Sequence, residues 1–213
     1  MSIRKILQLV LVVVIALLVW AIYGLISTPI NFENEKAVRD AAVVERIKDI
    51  RTAQRAYKSK YSTFTGDFDS LINFVLNETI KMERKIVDED DSLGMANLKA
   101  RGLKNVEQFD VPVIDTIFSP RKLTAQQVKD LKYIPFTDRK SEYLLSAGRI
   151  KTESKVEIAV VEVKAPYTLY LDTLAYRQEI INLIDNEINN FNKYPGIKFG
   201  SMEGGNNEAG NWE

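Results

Sequence analysis

The sequence contains no cysteine and no histidine. The first absence removes disulfides, thiol nucleophiles, Cys-ligated zinc or iron–sulfur centres and any lipidated cysteine. The second removes Ser-His-Asp and Cys-His relays, and with them the commonest general base near neutral pH. A bound metal would have only oxygen ligands, which favours Ca²⁺ or Mg²⁺. An excess of one charge is missing too, with 29 basic against 29 acidic residues. Setting aside Arg4 and Lys5 beside the apolar N-terminal run leaves 27 against 29, a balance of −2. Nucleic acid needs a basic surface, so no nucleic-acid partner is expected. There is no phosphate-cradling glycine loop and no internal repeat. Asp and Glu are scattered without a glycosidase-type focus, and neither Ser146 nor Ser154 has a lysine at Ser-Lys spacing. These absences point away from an enzyme, and no cofactor is expected.

What the chain does have is one long hydrophobic run, Ile6 to Ile26, ILQLVLVVVIALLVWAIYGLI, with no charge. At about 1.5 Å per residue such a helix spans the roughly 30 Å hydrocarbon core of a bilayer. Arg4 and Lys5 precede the run, while Trp20 and Tyr23 lie near its end. The positive-inside and aromatic-belt rules then put the N-terminus in the cytoplasm and everything after about Ser27 outside. The expected location is a bacterial inner membrane, with a single pass and a periplasmic C-terminal domain. A cleaved secretory signal would have a shorter apolar core and a small-residue cleavage site. Leu25-Ile26-Ser27-Thr28-Pro29 offers no such site, so a retained anchor in the lipid bilayer is expected. Gln8 either sits at the headgroup boundary or hydrogen-bonds to another helix within the membrane.

Three regions follow from this reading: residues 1–27 as stub and span, 28–32 as a kinked joint, and 33–213 as an exported domain. Pro29 removes a backbone donor and disfavours helix at Thr28, hence the joint. From Glu33 to Tyr61, Val38, Ala41, Val44, Ile47, Ile50, Ala53, Tyr57 and Tyr61 recur at spacings of three and four. That is one apolar stripe of an amphipathic helix. The opposite face carries Arg46, Arg51, Arg55 and Lys58 among other cations, and reads as a solvated face or as a docking surface. Asp67 is placed to cap a short helix from Phe68 to about Leu76, and Thr124 to cap another. Strands are expected at about Ile80–Val87, Val111–Phe118 and Tyr167–Leu171. Glu142–Ile150 and Val156–Val163 read as an antiparallel hairpin across Lys151-Thr152-Glu153-Ser154. A second amphipathic helix is expected from Leu174 to Phe191, and a flexible tail over 195–213. The fold class is α+β: an N-terminal transmembrane helix, a long amphipathic helix on an antiparallel sheet, and a C-terminal amphipathic helix.

The acidic run Asp88-Glu89-Asp90-Asp91 lacks EF-hand spacing and reads as a solvated loop. Its charge also complements the basic helix, so Asp88, Asp90 and Asp91 pair naturally with Arg46, Arg51, Arg55 and Lys58 as partner-binding candidates. The oxygen-rich tail Glu203–Glu208 reads as a loosely ordered or partner-binding segment, with calcium as the lesser alternative. A hydrolytic or ligand-binding site would have to gather acids such as Asp67, Asp69, Asp115 and Asp172.

The string Arg39-Asp40-Ala41-Ala42 through Ile50-Arg51-Thr52-Ala53-Gln54, then Tyr57 and Tyr61-Ser62-Thr63-Phe64-Thr65, resembles the post-membrane helix of type IV pilins and secretion pseudopilins. The resemblance covers roughly the first third of the chain. Arg177–Asn182 and Tyr194 through Glu213 resemble single-span envelope proteins of the Bacteroidetes. The pilin resemblance implies a structural subunit of a cell-envelope or secretion assembly, with self or other envelope subunits as partners. The prepilin glycine and the glutamate at the fifth mature position have no counterpart in Ser2-Ile3-Arg4-Lys5. That departure implies the alternative of a non-polymerising anchored scaffold.

Overall fold

The computed structural model describes residues 3–88, 90–153, 155–205 and 208–213. A single helix, α1 (Ile3–Tyr61), runs for 59 residues. It is long and apolar enough at its N-terminal end to cross a membrane. Leu11, Leu17, Trp20 and Leu25 are all more than half exposed there.

Where a kinked joint is expected over 28–32 the helix is unbroken, with Pro29 inside it. Pro29 deprives the Leu25 carbonyl of its donor. Thr28 turns its hydroxyl back onto the Gly24 carbonyl at 2.8 Å, which keeps the preceding turn closed.

The C-terminal half of α1 is the spine of an α+β head. Val43, Ile47, Ile50 and Ala53 are fully buried, with Gln54 beside them. This buried stripe is rotated from the expected one: Val38 is 64 % exposed, Val44 only partly buried, and Tyr61 lies at the surface. Against it pack α2 (Phe68–Asn77), α4 (Val113–Ile117) and a three-stranded antiparallel sheet. Asp67 caps α2 by accepting from the Ser70 amide at 2.7 Å. The short helix α5 (Ala125–Lys129) begins with a capping box between Thr124 and Gln127.

The sheet has the order β3 (Leu144–Lys151), β4 (Glu157–Pro166), β5 (Gly196–Gly200). The β3–β4 hairpin appears as expected; Ser154 lies outside the described residues. Val161, Val163 and Ala165 of β4, with Ile197 and Phe199 of β5, face the core. The other face of β4 is mixed: Val160 is buried there, and Glu162 accepts Lys164 at 2.6 Å.

Three expectations are corrected by the chain's own punctuation. Val111–Phe118 is not one strand: β2 (Glu107–Pro112) stops at Pro112 and α4 follows, burying Val113. Tyr167–Leu171 is a helical turn, α6 (Tyr167–Tyr170), launched by Pro166 and burying two tyrosines three residues apart. The C-terminal helix α7 is shorter, Arg177–Asp185, followed by a π turn over Asn186–Asn190. Asp172 accepts the Leu174 and Ala175 amides, both at 3.0 Å, and holds that stretch in a turn before the helix starts.

The tail differs most from expectation. Residues 196–200 form β5 in the main sheet, and the segment after it folds back. Gly200 has φ +75°, and a Cβ there would stand 1.9 Å from the Val161 carbonyl oxygen. Only glycine fits that turn. The Asn211 side chain accepts from the Lys198 amide at 3.0 Å and donates to the Gly196 carbonyl at 2.8 Å. Trp212 packs against the core.

A second, two-stranded element stands apart from this sheet. β1 (Thr79–Arg84) pairs antiparallel with β2, and α3 (Ser92–Ala100) lies between them in sequence. No residue of α3 is buried. The strand expected at about Ile80–Val87 is β1, which starts at Thr79 and already ends at Arg84, and the expected loop after it contains this helix.

Candidate functional site

Arg51, Arg55 and Lys58 lie on one face of α1 at spacings of four and three, which aligns them along the helix. Their partners are in the folded-back tail. The Arg51 guanidinium donates to the Glu213 carboxylate at 2.6 Å and to the Glu208 carbonyl at 3.3 Å. It also lies 5.7 Å from the centre of the Trp212 ring. Arg55 donates to the Glu208 carboxylate at 2.6 Å, and Lys58 lies 3.6 Å from the same group. Lys58 also sits 4.5 Å above the Phe64 ring. The Arg51 hydrogen bond holds the Glu213 carboxyl below the usual carboxylate range. Two tail carboxylates thus engage three helix cations, which leaves one positive charge in excess.

Arg46 faces elsewhere. Its guanidinium donates to the carbonyls of Asp130 at 3.2 Å and Tyr133 at 2.8 Å, fastening the turn after α5. The acidic run is not brought to any of these cations. Asp91 caps α3 by accepting the Gly94 amide at 3.0 Å, and Asp88 and Asp90 are exposed. Among the described residues no ion pair joins Asp88, Asp90 or Asp91 to α1; Glu89 lies outside them. Asn206 and Asn207 of the oxygen-rich tail also lie outside the described residues.

The acids weighed as a possible site have separate structural tasks. Asp67 and Asp172 cap turns, Asp69 pairs with Lys132 at 3.2 Å, and Asp115 is exposed on α4. Asp67 and Asp69 do share an open depression with Lys132 and Glu142. Among the described residues no three acids are grouped closely enough to hold a metal ion.

Sequence reasoning missed a polar seam where α1 enters the head. Asp40 accepts the Tyr170 hydroxyl at 2.6 Å and Lys36 at 2.8 Å. Arg39 donates to the Tyr170 carbonyl and pairs with Glu35 at 2.6 Å. Burial and the adjacent Asp40 carboxylate both push the Tyr170 phenol up. Phe32 meets Tyr176 with ring centres 5.5 Å apart, and Glu179 of α7 shares a groove with Trp20, Tyr23, Thr28 and Pro29. These contacts hold the head against the turns of α1 around Phe32 and Asp40. The only available signal was the pairing of polar residues with neighbouring aromatics, which does not specify a tertiary partner.

No family model, curated protein or solved structure matches the chain.

Proposed function

We propose that this protein is a membrane-anchored, pilin- or pseudopilin-like structural subunit of a cell-envelope or secretion assembly, acting by assembly rather than by catalysis. The observation that supports it is α1 itself. One helix carries an apolar, uncovered N-terminal half and a C-terminal half buried as the spine of an α+β head. On this reading Ile6–Ile26 lies in the bacterial inner membrane, the N-terminus is cytoplasmic and the head is periplasmic. The uncovered span packs against lipid and against the spans of neighbouring subunits.

A second reading, a non-polymerising anchored scaffold subunit, is favoured by the tail. Arg51, Arg55 and Lys58 are already engaged by Glu208 and Glu213, which withdraws much of the basic face from a partner. The size of the particle released from native membranes by mild detergent tests the proposal. Masses well above two chains per particle support an assembly subunit. A particle of one chain, with an unprocessed N-terminus, contradicts it.

A further inference from the structure

The β1–β2 ribbon has one edge that can accept a strand and one that cannot. The Val113 amide donates to the Glu78 carbonyl at 2.9 Å, one step beyond the paired residues of the ribbon. In an antiparallel ladder the hydrogen-bonded pairs recur every second residue. The pairs Ile80–Val111, Met82–Phe109 and Arg84–Glu107 therefore bond to each other across the ribbon. Thr79, Lys81 and Glu83 aim their amides and carbonyls outward from β1; Gln108, Asp110 and Pro112 do so from β2. Pro112 has no donor to offer, so the β2 edge is blocked. Lys60 takes the Thr79 carbonyl at 3.1 Å. Among the described residues no backbone hydrogen bond is made by Lys81 or Glu83 outside the ribbon.

An isolated two-stranded ribbon is marginal in water. Here Met82 and Phe109 are 40 % and 39 % exposed on the same face, so nothing in the chain covers them fully.

We propose that β1 pairs with β1 of a second copy of this chain, antiparallel about a two-fold axis through Met82. The charge pattern selects this register. A bonded pair must join outward-facing residues of both copies, which leaves four centred alignments. Centring on Lys81 opposes Lys81 to Lys81, and centring on Glu83 opposes Glu83 to Glu83; like charges directly opposite are unfavourable. Centring on Ile80 pairs Lys81 with Thr79, whose carbonyl Lys60 already holds. Centring on Met82 sets Lys81 of each copy against Glu83 of the other, twice, and brings the two Met82 side chains together. The result is a four-stranded sheet, β2-β1-β1-β2, with one apolar face shared by both copies. Strand addition of this length buries less than a standard protein interface, and confinement in one bilayer raises the effective concentration of the second copy.

The inference does not require assembly through α1, and its test is separate. The chain has no cysteine, so a single introduced thiol is an unambiguous reporter. Opposed non-bonded residues in such a ladder have Cα atoms about 4.5 Å apart, within disulfide reach. Met82→Cys in the full chain, oxidised in membranes and in detergent, should give a band at twice the chain mass. Gln108→Cys on β2 should not. Adding Lys81→Glu to Met82→Cys should abolish the band, and adding Lys81→Glu with Glu83→Lys should restore it. No dimer band in either medium overturns the proposal. So does a dimer band indifferent to the charge changes, or a cross-link to a chain of another mass. A Met82→Cys dimer without larger assemblies would contradict the proposed function alone. Large assemblies without that dimer would contradict this inference alone.

Discussion

The Glu213 carboxylate stands 2.6 Å from the Arg51 guanidinium, 162 positions earlier in the chain. This contact, with Glu208 on Arg55, closes the tail over the basic face of α1. Arg51→Ala should release the hook while leaving the rest of the head folded, because partly exposed ion pairs contribute little to global stability. Amide exchange should speed up at Ile197–Phe199 and Asn211, with almost no change in the core of α2. Equal acceleration throughout the head would contradict a local clamp.

The same contact has a pH dependence. The Glu213 carboxyl lies below its ordinary value of 4.5 because Arg51 donates to it. A depressed folded pKa gives a contribution that is complete above the ordinary value and lost as pH falls through the folded one. Hook protection should therefore hold above about pH 4.5 and fail on further acidification. Exchange measured from about pH 6 to about pH 3, across the ordinary carboxylate range, checks the direction.

Alkaline behaviour has the opposite sign. Tyr170 is pushed above its ordinary value near 10 by burial first and by Asp40 second. A raised folded pKa contributes stability that is present below the ordinary value and lost as pH rises beyond it. The Tyr170 phenol should thus ionise only as the head unfolds. A phenolate absorbance titration of wild type against Tyr170→Phe, followed with circular dichroism, tests this. Ionisation of that tyrosine near pH 10 in the folded protein would contradict its burial.

Gln54 is fully buried and serves the turn after α1 with both ends of its amide. It donates to the Thr65 carbonyl at 2.7 Å and accepts the Thr65 amide at 3.2 Å. Gln54→Leu strands two buried backbone groups, at about 1–3 kcal/mol each. Ile50→Ala, in the core, should cost about 2–5 kcal/mol. Val38→Ala should stay within about 0.5 kcal/mol, since Val38 is 64 % exposed. Denaturant unfolding of the full chain in detergent gives all three.

The last comparison also marks what the sequence could and could not reveal. A run such as Ile6–Ile26 is one-dimensional information, and so are the caps at Asp67 and Thr124, because each depends on neighbours a few residues away. The α+β class followed from the order of such segments. The phase of the buried stripe did not. Val43 and Val44 are chemically alike, and only the position of α2 and the sheet decides which is buried. Short apolar runs such as Val111–Phe118 fit either strand or turn of helix, and Pro112 and Pro166 settled them by ending strands rather than starting loops. The tail looked mobile from its Gly and Asn content. In the fold those residues supply a left-handed turn at Gly200 and a side-chain bridge at Asn211. Among the candidate partner residues, the position of Arg51, Arg55 and Lys58 on α1 was legible in helical spacing. Their engagement by a segment about 150 positions away was not.

On the proposed reading the N-terminal half of α1 lies in a bilayer and holds the head on one side of it. Cysteine accessibility tests it most directly, since the natural chain contributes no background thiol. Ser119→Cys, exposed on the head, should react with a membrane-impermeant maleimide from one side of intact membranes. Val14→Cys should stay unlabelled until the membrane is dissolved and the protein denatured. Labelling of Val14→Cys in intact membranes as fast as Ser119→Cys would contradict the account.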